Sequence, residues 1–120
     1  MIKGTQFISI WSEDNKNLVP FYRDIVGLNL FGDNPGFAVF ANSDGAPVLG
    51  IGTHSEVHGP NTDSARHIVG FASTDIHVDF LRMKDAGVEF LEEPNVQGPV
   101  WVATFKDPEG NLLQLQQFTS

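Results

Sequence analysis

One pattern occurs twice along this 120-residue chain, and that duplication limits what it can fold into more than any other feature. The first copy opens with Phe7-Ile8-Ser9-Ile10-Trp11, a strand-like run with β-branched residues at alternate positions. Asp14 follows, then an amphipathic stretch from Asn17 to Val26 that ends at Gly27-Leu28. The second copy opens with Ile68-Val69-Gly70-Phe71-Ala72, then Asp75, then Ile76 to Ala86, ending at Gly87-Val88. Phe7 to Asp14 and Ile68 to Asp75 span the same seven steps.

The punctuation of each copy supports a helix followed by strands. Asn17 is placed to N-cap the first helix, which puts Pro20 in its first turn, where a missing N–H costs least. Leu18, Phe21, Tyr22 and Ile25 then share one face. Asp75 or Thr74 can cap the second helix, with Phe80, Leu81 and Met83 inside. Gly27 and Gly87 sit where a left-handed residue ends a helix, each followed by an apolar residue. A strand is predicted after each helix, at Leu28 to Gly32 and Val88 to Glu92. Asn42-Ser43-Asp44-Gly45 and Asp107-Pro108-Glu109-Gly110 are matching type I turn sequences. Their flanks read as strands, Gly36 to Ala41 with Pro47 to Thr53, and Pro99 to Lys106 with Leu112 to Phe118. The order is therefore β-α-β-β-β, twice. Module 1 covers about 5–54 and module 2 about 66–118, with a polar connector over about 55–65, all within a single domain over 1–120.

Composition removes several function classes. Fifteen acidic residues against seven basic ones give a formal charge of −8, and the basic residues are scattered singly. That field repels a phosphate backbone, so no nucleic-acid partner is expected. The absence of cysteine excludes disulfides, thiolate nucleophiles and Cys-based zinc sites. No run approaches the roughly 20 apolar residues that span a bilayer. Met-Ile-Lys-Gly-Thr-Gln lacks the apolar stretch of a signal peptide, so no membrane association and a cytoplasmic location are expected.

Two motifs carry a family resemblance. Phe21-Tyr22-Arg23-Asp24-Ile25-Val26-Gly27-Leu28 and Asp107-Pro108-Glu109-Gly110-Asn111-Leu112-Leu113-Gln114-Leu115 resemble elements of the vicinal-oxygen-chelate superfamily, which holds glyoxalase, bleomycin-resistance and extradiol-dioxygenase-type proteins. The likeness extends in order over nearly the whole chain. It implies an α+β fold, two tandem βαβββ modules forming a half-open barrel-like sheet around a cleft. It also implies a homodimer.

Strand alternation places side chains in that cleft. Ile8 and Ile10 are assigned to the helix-packed side, which leaves Phe7, Ser9 and Trp11 for the cleft. In the second copy Ile68, Gly70 and Ala72 take the cleft side, with Val69 and Phe71 beneath the helix. Counting back from the turns adds Phe37, Val39, Val102 and Thr104, and the last strand adds Gln114 and Gln116. On the fourth strand Ala46-Pro47 leaves the register open between Leu49 and Gly50.

The resemblance implies metal ligands, usually His or Glu, at positions that fall here on Phe7, Leu49 or Gly50, Ile68 and Gln114. Phenyl and alkyl groups have no lone pair to give and an amide oxygen is a weak ligand, so no metal or other cofactor is expected. His67, one residue before a ligand position, and Gln114 are the metal candidates if the register slips by one. His54, after the fourth strand, is a candidate for a binding or acid/base role. His58 and His77 read as surface residues. Glu92-Glu93 reads as a solvated pair whose side chains point to opposite faces. No phosphate loop, nucleophile elbow or HExxH motif is present. The expected function is metal-free binding of a small, mostly apolar or aromatic molecule. The alternative is a metal-dependent lyase, isomerase or dioxygenase of the same superfamily.

Overall fold

A computed structural model describes residues 1–119 and shows two compact units, one over residues 1–59 and one from Pro60 onward. Each contains a four-stranded mixed sheet with helical structure on one face, so the expected α+β class holds.

The first unit contains β1 (Ile8–Ser12), β2 (Asn29–Asn34), β3 (Phe37–Ala41) and β4 (Pro47–Thr53) in the order β1-β4-β3-β2. β1 and β4 are parallel; the other pairs are antiparallel. Ala38, Phe40, Leu49 and Ile51 are buried on one face, and Tyr22, fully buried, meets Phe40 at 6.5 Å between ring centroids. Ile8 and Ile10 pair with Leu49 and Ile51 on that face as expected, although Ile8 remains 38% exposed.

The first helix begins differently from the expectation. Asp14, not Asn17, is the cap, its carboxylate accepting from the Lys16 N–H ahead of a 3₁₀ turn at Asn15–Asn17. Tertiary bonding explains the tight turn. The buried Asn15 donates from Nδ2 to the Ile51 carbonyl, its backbone N–H donates to Thr53 Oγ1, and its Oδ1 accepts from the Thr53 hydroxyl. The helix proper then runs through Phe21–Val26 in wide π geometry and ends at Gly27, whose φ of 87° suits glycine.

The second unit repeats the topology with β5 (Val69–Ala72), α1 (Ile76–Asp85), β6 (Phe90–Gln97), β7 (Val100–Lys106) and β8 (Leu112–Phe118), ordered β5-β8-β7-β6. Asp75 caps α1 by accepting from the Val78 N–H. Ile76 and Met83 are fully buried and Phe80 nearly so, but Leu81 is 58% exposed, against the expectation. The spacing 76, 80, 83 defines the buried stripe, and Leu81 lies off it. Both strands after the helices start later than predicted, because Leu28 and Val88 close the helix ends: their N–H groups donate to the Tyr22 and Met83 carbonyls. The two predicted type I turns form as matching closures, with Gly45 and Gly110 donating to the Asn42 and Asp107 carbonyls. No helix among the described residues is long and apolar enough to cross a membrane.

Candidate functional site

The open face of the first sheet, opposite the helix, is an aromatic platform over two glycines. In register, Ser9 and Val39 flank Gly50, while Trp11 and Phe37 flank Gly52. Phe37 lies at the centre, 6.3 Å from the Phe7 ring and 5.6 Å from the Trp11 ring, both tilted by about 30°. A Cβ on Gly50 would collide with Phe37 and lie 2.8 Å from Phe7 Cε2; one on Gly52 would meet Trp11 and Phe37. The rings can therefore lie against the strand only because β4 has no side chains there. Phe7 and Trp11 remain 37% and 42% exposed, an area of aromatic surface open to solvent. This register also decides the fourth strand: Gly50 faces the platform and Leu49 the core.

His54 joins the platform edge-on, with its ring 5.5 Å from that of Trp11 at 73°. Its Nδ1 accepts from the Glu56 N–H, so a neutral ring carries its proton on Nε2. Ser9 is exposed on the same face.

The open face of the second sheet has the opposite character. Gly70 pairs with Gln114 and Ala72 with Gln116, and the Gln116 amide lies flat over Gly70, 2.5–2.6 Å from where a Cβ would be. Across β8 and β7, Gln114 pairs with Thr104 and Gln116 with Val102. Gln116 Nε2 donates to Gln114 Oε1 at 3.2 Å, and Gln114 Nε2 donates to Thr104 Oγ1 at 3.2 Å. The Thr104 hydroxyl, buried to 4% exposure, donates to Glu92 Oε1 at 3.1 Å. Sequence reasoning misses this role of Glu92, which reads there only as one of a solvated pair. It faces Thr104 because β6 carries an irregularity between Phe90 and Glu92.

The structure thus gathers the expected residues into two groups, each on its own sheet: Phe7, Ser9, Trp11, Phe37, Val39 and His54 on the first, and Val102, Thr104, Gln114 and Gln116 on the second. Ile68 lies just ahead of β5, 41% exposed. His67 is exposed, immediately after the 3₁₀ turn Ser64–Arg66. His58 is exposed 3.9 Å from Glu13, and His77 is exposed as expected, with its ring edge-on to that of Trp101 at 4.9 Å. On the helix surface Arg23 and Asp24 form a two-pronged pair whose hydrogen bonds hold the Asp24 carboxyl below its ordinary range.

A divalent ion does not fit the positions that the resemblance assigns to it. They hold a phenyl ring, a glycine, an isoleucine and an amide already bonded to Thr104 and Gln116. Among the described residues no three His, Asp or Glu side chains gather elsewhere.

Comparison with known proteins agrees with the architecture. The profile of the Glyoxalase/Bleomycin resistance protein/Dioxygenase superfamily matches residues 5–115, and the chain belongs to that superfamily. The uncharacterized protein YetH of Bacillus subtilis (strain 168) is 27% identical over 98% of this chain and all of its own length. Among solved structures, TnmS3, an antibiotic binding protein from Streptomyces sp. CB03234, matches with a TM-score of 0.76 at 23% identity, covering 98% of both chains. A glyoxalase/bleomycin resistance protein/dioxygenase from Nocardioides matches at 0.75 and 18%, covering 98% of this chain and 85% of its own. At these identities the two structures show a shared fold.

Proposed function

We propose that this protein binds a small, mostly apolar or aromatic molecule without a metal ion. The observation that carries the reading is the aromatic platform: three rings laid over Gly50 and Gly52, with the outer two open to solvent. Rings held against a strand surface offer apolar area at little entropic cost, which suits recognition of a flat ligand. The poor fit of a metal to this donor set supports the metal-free part. The antibiotic-binding neighbour on the same fold supports the binding role. The homodimer that the resemblance implies belongs to the same proposal, and sedimentation equilibrium tests it.

The test uses N-phenyl-1-naphthylamine as a neutral aromatic probe, with Trp101→Phe so that emission reports on Trp11. Saturable quenching is expected, and Phe37→Ala should weaken it about tenfold, the equivalent of one ring–ring contact plus its buried area. A flat titration, or one indifferent to Phe37→Ala, refutes the reading. Elemental analysis of untagged protein checks the metal-free claim separately. Stoichiometric nickel, zinc, manganese or iron, lost on mutation of His67 or Gln114, would overturn it.

A further inference from the structure

We propose that the open face of the second sheet recognises an organic cation, a protonated amine or an amidinium, anchored by Glu92. The argument begins with the direction of its hydrogen bonds. A carboxylate can only accept, so the single Thr104 proton goes to Glu92 Oε1. The Thr104 oxygen then accepts from Gln114 Nε2, which leaves Gln114 Oε1 to accept from Gln116 Nε2. Glu92 therefore fixes the orientation of both amides, and the row runs one way across three strands. Its anionic end carries no ion pair among the described residues, and Glu92 Oε2 has no hydrogen-bond partner among them.

The fold does not demand this polarity. The equivalent pair in the first sheet, Val39 opposite Gly50, is apolar, as is the neighbouring Val102. A hydroxyl, two amides and a carboxylate in one row therefore mark a surface built to be read by hydrogen bonds. Gln114 and Gln116 each keep a second amide proton with no partner among the described residues. The row thus presents one anionic acceptor beside two donors. A protonated amine or an amidinium donates to that anionic acceptor, and the formal charge of −8 favours its approach.

The experiment follows the side-chain amide resonances of Gln114 and Gln116 in ¹⁵N-labelled protein as benzamidinium is added, with the neutral isostere benzamide as control. Saturable shifts with benzamidinium alone are expected, weakening as salt rises. Glu92→Gln keeps an acceptor for Thr104 but removes the charge, and should weaken binding about tenfold or more at unchanged melting temperature. Glu93→Gln should leave it intact. Equal shifts from benzamide, no shift from benzamidinium, an indifferent Glu92→Gln or an equal loss in Glu93→Gln would each overturn the proposal. The proposal does not rest on the aromatic platform. Naphthylamine binding reported by Trp11 should survive Glu92→Gln, so either proposal can fail alone.

Discussion

Replacing Gly50 by alanine tests whether the platform is held in place by the missing side chain. The new methyl would overlap Phe37 Cζ and lie 2.9 Å from Phe37 Cε1 and 2.8 Å from Phe7 Cε2. Carbon atoms settle at about 3.5–4.0 Å, so each ring must retreat by roughly 1 Å. Such overpacking costs about 1–3 kcal/mol. Gly50 has no positive φ, so the alanine also restricts the unfolded chain and returns about 0.4–1 kcal/mol. The net expectation is a loss of about 1–2 kcal/mol. In a Phe37→Ala background two of the three close approaches disappear. The third is the edge of Phe7, 37% exposed and free to swing. There Gly50→Ala should be neutral or stabilising by up to about 1 kcal/mol, giving a coupling of about 1–3 kcal/mol. Urea denaturation followed by far-UV circular dichroism reads all four corners of the cycle without depending on ring emission. If Gly50→Ala costs the same in both backgrounds, within about 0.5 kcal/mol, the rings do not lean on Gly50 and the reasoning fails.

Three further outcomes follow from the second module. Asp107→Ala should cost about 2–4 kcal/mol by denaturation, because this buried carboxylate accepts from the Glu109 and Asn111 N–H groups and from Asn111 Nδ2; a change under about 0.5 kcal/mol would contradict that role. Asp75→Ala should lose about 1 kcal/mol while Asp75→Ser retains most of it, since either side chain can take the Val78 N–H. Gly87→Ala should lower stability by about 1–2 kcal/mol, the cost of a Cβ at its φ of 95°, seen as a lower melting temperature.

Much of the fold was legible because local signals agreed with the repeat. Both hairpin turns, both terminal glycines and the ends of β4 and β8 fall where the spacing puts them. What was not legible depended on tertiary partners. Asn17 looked like the better cap, but Asn15 is held by Ile51 and Thr53, nearly forty residues away, and that contact pulls the turn forward to Asp14. Leu81 looked like core because it sits beside Phe80, yet the stripe that α1 presents to the sheet passes through Ile76, Phe80 and Met83. Local apolarity identified the helix but not its rotation.

The site was harder to read because its parity depends on irregularities that simple alternation ignores. Between β3 and β4 the register shifts at Phe40 and Ala41, pairing Ala41 with Pro47, and this slip separates Leu49 from Gly50. On β6, alternation from Phe90 would turn Glu92 toward the helix, alongside Phe90. An extra residue at Leu91 turns it to the open face instead, opposite Thr104. The repeat itself held the missing signal. β2 shifts at the equivalent place, between Leu30 and Gly32, four residues past Gly27 as Leu91 is past Gly87. Both bulge residues, Phe31 and Leu91, are apolar yet 63% and 49% exposed, as expected where an edge strand turns one side chain out of its ladder. Aligning the modules through these two positions matches Gly32 with Glu92 and gives both the same face. The carboxylate is thus a change made at a fixed place in a duplicated scaffold, where the first copy has no side chain at all.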